Sequence, residues 1–299
     1  MGANAVELTA QQAWYLADAL GAGGFPWVLA ITPPYSEHAQ RSAFESRMSC
    51  ELAELGVLTG DGVVTPAVRE WVTTTCRARR WLELRFISAV GDMLRGHVAR
   101  RDERTVVAGR DNPTIVALRS GGLVTLTSLD VVHPAALVPI LTAGLPGRAP
   151  ASFPEFTMPA RAGARADEQL RNGAALADVL EFLGIPRSAR PVVEAAYTPG
   201  RSYVEIVAGD HRNGRRVSTD VGVSVVDTSE GRVLVCPSKA FDGEWVSTFT
   251  PGTPLAIATA VERLTATLPD GAWFPDLQLT RDFESENRTE HPQWRQTAS

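Results

Sequence analysis

The sequence predicts an α+β fold, a pseudo-twofold repeat of helices plus antiparallel sheet, and three observations carry that prediction. Two strand-like segments, 123–127 and 245–249, each lead into an apolar helical segment, one stopping at Leu145-Pro146-Gly147 and the other at Leu268-Pro269-Asp270-Gly271. Each follows a run of alternating apolar and polar residues, the period of a strand with one buried face. Each run follows a helix that ends in Leu-Gly, at Leu55-Gly56-Val57 and at Leu183-Gly184-Ile185, where glycine takes the left-handed stop. The chain therefore reads as one unit written twice: an N-terminal half at 1–147, a linker at 148–162, a C-terminal half at 163–275 and a disordered tail at 276–299.

In the first half, Thr9 with Gln12 three residues later is a capping box, and Ala13, Leu16, Ala17 and Leu20 continue at helical spacing to about residue 21. Residues 25–31 are expected to form a short apolar strand. A second helix is expected from Ser36, with Phe44, Met48 and Leu52 on one side, and Thr65-Pro66 opens a third. From Trp81 the period falls to 2, and strands are expected at 81–87, 94–101, 105–109, 114–119 and 122–129, joined by turns at Asp111-Asn112-Pro113 and Gly121-Gly122. A helix from His133 to Gly144 closes the unit.

Pro150, Pro154 and Pro159 among small residues mark the linker. The second half is expected to repeat the order: helices at 164–183 and 188–197, strands at 203–208, 215–227, 232–237 and 244–250, and a last helix at 254–267. Asn213-Gly214 is the strongest hairpin signal in the chain. Beyond Asp276 large apolar residues are too sparse for a core.

Composition limits the function classes. Of 299 residues, 44% are hydrophobic and 21% charged, which is ordinary globular material. A net charge of −5 provides no general attraction for nucleic acid or anionic membrane. The longest apolar runs fall far short of the roughly 20 residues that span a bilayer, and the N-terminus has no readable secretory signal. The protein is expected in the cytoplasm, without membrane insertion. Cys50, Cys76 and Cys236 are odd in number and widely spaced, as for reduced packing cysteines.

Reactive constellations are sparse, and the chain is not expected to be an enzyme, nor to hold a cofactor or metal. The histidines fall in unrelated elements, and Gly21-Ala22-Gly23-Gly24 follows a helix instead of preceding one, which reads as a helix stop and not a phosphate loop. Asp210-His211 sits on the shoulder of the Asn213-Gly214 hairpin and reads as a solvated turn. Asn287-Arg288-Thr289 is a sequon without a secretory context. Arg77, Arg79, Arg80, Arg85, Arg95, Arg100, Arg101 and Arg104 fit a sheet that binds nucleic acid or another polyanion, but the interleaved Glu83, Asp92, Asp102 and Glu103 favour cross-strand ion pairs. In 215–227, Val217, Thr219, Val221, Val223 and Val225 line one strand face. Arg216, Ser218, Asp220, Gly222 and Ser224 line the other, which reads as an ordinary solvated sheet face or as a surface that can dock another protein through polar contacts.

Several strings resemble a known family: N-A-V-E-L-T-A-Q-Q-A-W-Y-L-A-D-A-L-G-A-G at the start, F-P-W-V-L-A-I-T-P-P-Y-S, A-R-A-D-E-Q-L-R-N-G, and Y-V-E-I-V-A-G-D-H-R-N-G through A-F-D-G-E-W-V-S-T-F-T-P-G. Over about residues 3–283 the chain resembles the ESX secretion-associated EspG family, most of all the branch serving the third ESX (type VII) system. The resemblance implies a cytosolic chaperone that binds PE/PPE heterodimers at the PPE tip, keeps them soluble and supports their export. It also implies a pseudo-twofold α+β fold that grips its partner with the sheet and the C-terminal helices, and it implies no cofactor and no nucleic acid; self-association of the free protein stays open. On the polar face of the second half, Arg216 and Asp220 are then expected to orient the partner, Ser218 and Ser224 to hydrogen-bond it, and Ser238 and Lys239 to continue the surface.

Overall fold

The computed structural model describes residues 4–35, 37–88, 93–101, 113–197, 201–212, 214–269 and 273–274. The expected strand at 105–109, the tail, the sequon, Arg104 and Asn213 lie outside them.

The first half begins with strand β1 (Ala5–Thr9), which the helical reading of the N-terminus overlooks although Val6 and Leu8 already alternate with polar residues. The capping box then forms as read: Gln12 N–H donates to Thr9 Oγ1 at 3.1 Å and Thr9 N–H to Gln12 Oε1 at 2.9 Å, starting α1 (Ala10–Ala19). Residues 25–31 do not make a strand. Trp27–Leu29 is a 3-10 turn whose carbonyls are collected by arginines from the sheet, Val28 O by Arg95 at 3.4 Å and Leu29 O by Arg119 at 2.7 Å. Side-chain donors here take the place of a neighbouring strand. Helix α2 (Arg41–Glu54) starts later than Ser36, after a 3-10 turn at His38–Gln40, and α3 (Pro66–Cys76) follows.

The meander is β2 (Arg80–Ile87), β3 (Leu94–Arg100), β4 (Thr114–Ser120) and β5 (Leu123–Leu129). A 3-10 turn at Pro134–Leu137 runs into the single-turn α4 (Val138–Leu141).

Residues 148–162, expected to be a linker, are packed: Ala151 and Phe153 are buried, and the segment carries strand β6 (Phe156–Pro159), paired with the far strand of the second half. The remaining order is α5 (Ala160–Arg171), α6 (Leu176–Phe182), α7 (Arg190–Tyr197), β7 (Ser202–Arg212), β8 (Arg215–Ser218), β9 (Val223–Thr228), β10 (Gly231–Lys239), β11 (Trp245–Pro251) and α8 (Pro254–Ala266).

All eleven strands form one antiparallel sheet in the order β1-β5-β4-β3-β2-β7-β9-β10-β11-β6, with β8 also on β7. The order is a palindrome in topology. Each half runs outward from a central strand, β2 or β7, to an edge strand that precedes its helices, β1 or β6. The halves join where residues 80–87 pair with 203–210. The Leu-Gly landmarks are equivalent in detail. Gly56 and Gly184 have φ of +70° and +67°. Gly56 N–H donates to Ala53 O at 3.0 Å and Val57 N–H to Leu52 O at 2.9 Å, while Gly184 donates to Glu181 O at 3.0 Å and Ile185 to Leu180 O at 3.2 Å. Both are Schellman stops with a buried apolar residue just past the glycine.

Alternation along the strands divides the core. One face contributes Leu82, Leu84, Phe86, Val98, Val204, Ile206, Val223, Val225 and Leu234 to a central core roofed by α4 and α8. The other face carries two separate cores. Ile115, Ala117, Val124 and Leu126 pack under α1 and α3, and Val233 packs with Leu180, Val192 and Val193 of α6 and α7.

Candidate functional site

The segment 215–227, expected to be one strand, is interrupted, and the interruption shapes the site. β8 and β9 pair with the same side of β7, but from the pair Ile206↔Val223 to the pair Gly209↔Ser218, β7 advances three positions while its partner advances five. The surplus forms a bulge at 219–222. Thr219 stitches it to β7: its N–H donates to Ala208 O at 2.9 Å and its hydroxyl accepts from Ala208 N–H at 3.3 Å. Gly222 passes so close to β7 that a Cβ there would lie 2.8 Å from Ile206 O.

The bulge forms one rim of a groove of about 980 Å³ under α8. Val223, Leu234 and Cys236 form an apolar floor, with the hydroxyls of Ser238, Thr248 and Thr250 beside them. Leu255, Thr259 and Arg263 of α8 line the opposite wall together with the small Ala256 and Ala260. Helix α8 starts sharply because Thr253 Oγ1 accepts from Ala256 N–H at 3.1 Å and Pro254 occupies the first turn. Burial raises the Cys236 thiol to about 11, Arg263 opposing and Glu155 reinforcing it, so the floor carries a neutral thiol. Thr250 Oγ1 is buried with no hydrogen-bond partner.

Of the six expected binding residues, Ser218, Asp220, Ser238 and Lys239 line this groove. Lys239 Nζ lies 5.1 Å from the centre of the Trp245 ring, which holds the ammonium at the groove's end. Arg216 and Ser224 are not with them. Arg216 faces His211 and Ser224 faces Glu205 across β7, on the side away from the central core. Arg216 lies over Trp81, 4.4 Å from its ring centre, and 3.7 Å from Glu83.

The resemblance implied the C-terminal helices but no residue of the α8 wall was named from the sequence, although Leu255, Thr259 and Arg263 recur every four residues and so share one helix stripe. Their neighbours Ile257, Val261 and Leu264 are buried.

The other sequence candidates resolve as structure. Asp210-His211 is not a solvated turn: β7 continues to Arg212, and Asp210 is buried opposite Arg80. Among the basic residues, Arg100 is buried against Trp273 and Phe274 and donates to Thr114 Oγ1 at 2.9 Å and to Val131 O. Arg77 donates to Ala22 O at 3.0 Å and to Gly21 O, closing the end of α1, and Arg85 lies 4.0 Å from Glu83. Cys50 is exposed, contrary to the packing role expected for it, while Cys76 and Cys236 are half-buried. Among the described residues no cluster of three or more metal-ligating side chains is present, and no helix is long and apolar enough to cross a membrane.

A sequence model of the EspG family matches residues 9–263. The chain is 63% identical to the ESX-3 secretion-associated protein EspG3 of Mycolicibacterium smegmatis, covering 97% of this chain and 96% of that protein. It is 55% identical to EspG3 of Mycobacterium tuberculosis, over 95% of this chain and 98% of that one. Among solved structures, the type VII secretion chaperone EspG5 of M. tuberculosis, in complex with a PE25–PPE41 dimer, superposes with a TM-score of 0.73 over 90% of this chain and 99% of its own at 18% identity, which is agreement of fold.

Proposed function

The chain belongs to the EspG family, and from that premise we propose that it is a cytosolic chaperone of a type VII (ESX) secretion system that binds a PE/PPE heterodimer at the PPE tip. The observation that carries this reading is the groove of about 980 Å³ between α8 and the β9–β11 floor. An apolar floor with scattered hydroxyls and a charged rim suits a protein segment that would otherwise expose apolar side chains to water, and covering such a patch suppresses aggregation. Asp220 on one rim and Lys239 at the end supply charges of opposite sign, which fix a partner's orientation more than they add affinity. The EspG3 relatives are ESX-3 secretion-associated proteins, which supports a role in type VII secretion, and the EspG5 structure contains a PE25–PPE41 dimer, which supports the same class of partner here.

Co-expression with PE/PPE pairs from each ESX locus, followed by size-exclusion chromatography with light scattering, tests the proposal. The expected result is a 1:1:1 complex with one cognate pair, weakened at least tenfold by Asp220→Arg and by Leu255→Glu with the melting temperature unchanged. Full-strength binding by both variants would move the partner away from the groove. Failure of every pair to bind the folded wild-type protein would overturn the chaperone reading.

A further inference from the structure

On the opposite side of the sheet, where the end of α3 meets its central strands, lies a separate cavity of about 250 Å³. Arg77, Trp81, His97, His211 and Arg216 supply its polar walls. We propose that this cavity binds a single carboxylate group, with the Arg216 guanidinium as its counter-charge and the Trp81 and His97 ring N–H groups as its buried donors.

The first argument is unused hydrogen-bonding capacity. Trp81 and His97 are each only 1% exposed, yet Trp81 Nε1 and both ring nitrogens of His97 have no hydrogen-bond partner. Buried polar atoms are ordinarily paired, and here three belong to two side chains that line one cavity. The orientation of the indole is built in. Trp81 lies opposite Gly209 on β7, and a Cβ at that glycine would stand 2.3 Å from the Trp81 ring, so only glycine lets the ring lie down on the strand.

The second argument is the sign of the charge. The lining residues include two arginines and no carboxylate. Arg77 already donates to Ala22 O and Gly21 O. Arg216 rests on the Trp81 ring and is ion-paired with Glu83 at 3.7 Å, with no hydrogen bond among the described residues. A single guanidinium, half exposed and paired with one carboxylate already, matches a monoanion better than a doubly charged phosphate, and the planar fork fits a carboxylate. Burial, and then the charge of Arg216, lower His97 to about 3, so the imidazole is neutral at ordinary pH with one N–H to give. The Cys76 thiol in the wall, raised by burial to about 12, adds no negative charge.

The carboxylate could belong to a small free acid or to an Asp or Glu side chain of a docked protein. Titrating the isotopically labelled full-length protein with sodium acetate and with the peptide acetyl-Gly-Asp-Gly-amide, while following indole N–H resonances, separates the two. The Trp81 signal is assigned from its loss in Trp81→Phe. The expected result is a saturable shift of that signal, absent with potassium chloride at equal ionic strength, weakened at least tenfold in Arg216→Gln and partly retained in Arg216→Lys. Arg216 is half exposed, so both variants should keep the wild-type melting temperature. Tighter binding of the peptide assigns the site to a protein-borne side chain, and equal binding assigns it to a free acid. A Trp81 signal that moves with neither probe, moves equally with chloride, or moves unchanged in Arg216→Gln overturns the proposal and leaves a cavity for water.

Discussion

The two copies of the repeat treat the same position in opposite ways. After β5, the first copy places a short segment, Pro134–Leu137 and then Val138–Leu141, flat against the sheet. Leu137, Val138 and Leu141 are buried, and the chain then passes so close that a Cβ on Gly144 would meet Phe86 and Leu94 at 2.7 Å. After β11, the second copy places the 13-residue α8. Its Ile257, Ala258, Val261 and Leu264 pack toward the shared centre, while Leu255, Thr259 and Arg263 stand over the floor of β9–β11 and border the groove. One copy seals the sheet and the other leaves it accessible. Duplication makes this possible, since a sealed copy supplies core while its sibling can afford exposed apolar surface.

The largest expected effect tests how the second copy is tied to the first. The Asp227 carboxylate accepts from Arg232 at 2.6 and 3.0 Å and from the backbone N–H groups of Gly147 and Arg148 at 3.2 Å, anchoring the β9–β10 hairpin to the end of the first half. Asp227→Ala strands a largely buried guanidinium and should cost about 4 kcal/mol by urea unfolding. A loss below about 1 kcal/mol would mean that sheet pairing alone holds the copies together.

Next comes the contrast between the closing helices. Leu141→Ala, at a position with 0% exposure, should cost about 3 kcal/mol. Leu255→Ala, at 42% exposure, should cost less than about 0.5 kcal/mol. Equal losses would break the distinction between sealed and open copies.

A smaller effect separates the copies by pH. β3 sets His97 opposite Glu83, whereas β9 sets Ser224 opposite Glu205. Because burial lowers His97 to about 3 in the folded state, only the unfolded chain takes up its proton between that value and about 6.5. Stability from this group is therefore complete above about pH 6.5 and falls as pH drops toward 3, by roughly 1.4 kcal/mol per unit. Urea midpoints measured from pH 7.5 to 4.5 should fall more steeply for the wild type than for His97→Leu. Parallel slopes would assign the acid sensitivity to other groups.

Much of the fold was legible because its signals act over a few residues. The Thr9-Gln12 box, the proline at the start of α8 and the two Leu-Gly stops depend on backbone geometry near each residue. The strands missed, β1 and β6, are short edge strands of 5 and 4 residues beside helices or prolines, too brief for a period to stand out. The groove lining was half legible. Alternation across 215–227 grouped Arg216 and Ser224 with Ser218 and Asp220, but the bulge at 219–222 brings Asp220 to the groove beneath α8 while Arg216 remains stacked on Trp81.

The sequence by itself determined the duplication, the order of helices and meander within each copy, and the stops that delimit them, since each is written in contacts local to the chain. Only the tertiary structure decided that β2 pairs with β7 to fuse both copies into one sheet, that one closing helix seals while the other borders a groove, and that Trp81, His97 and Arg216 meet around one cavity. These outcomes rest on pairings between residues 80–87 and 203–210. No periodicity encodes them, because they arise from the competition of whole faces for burial.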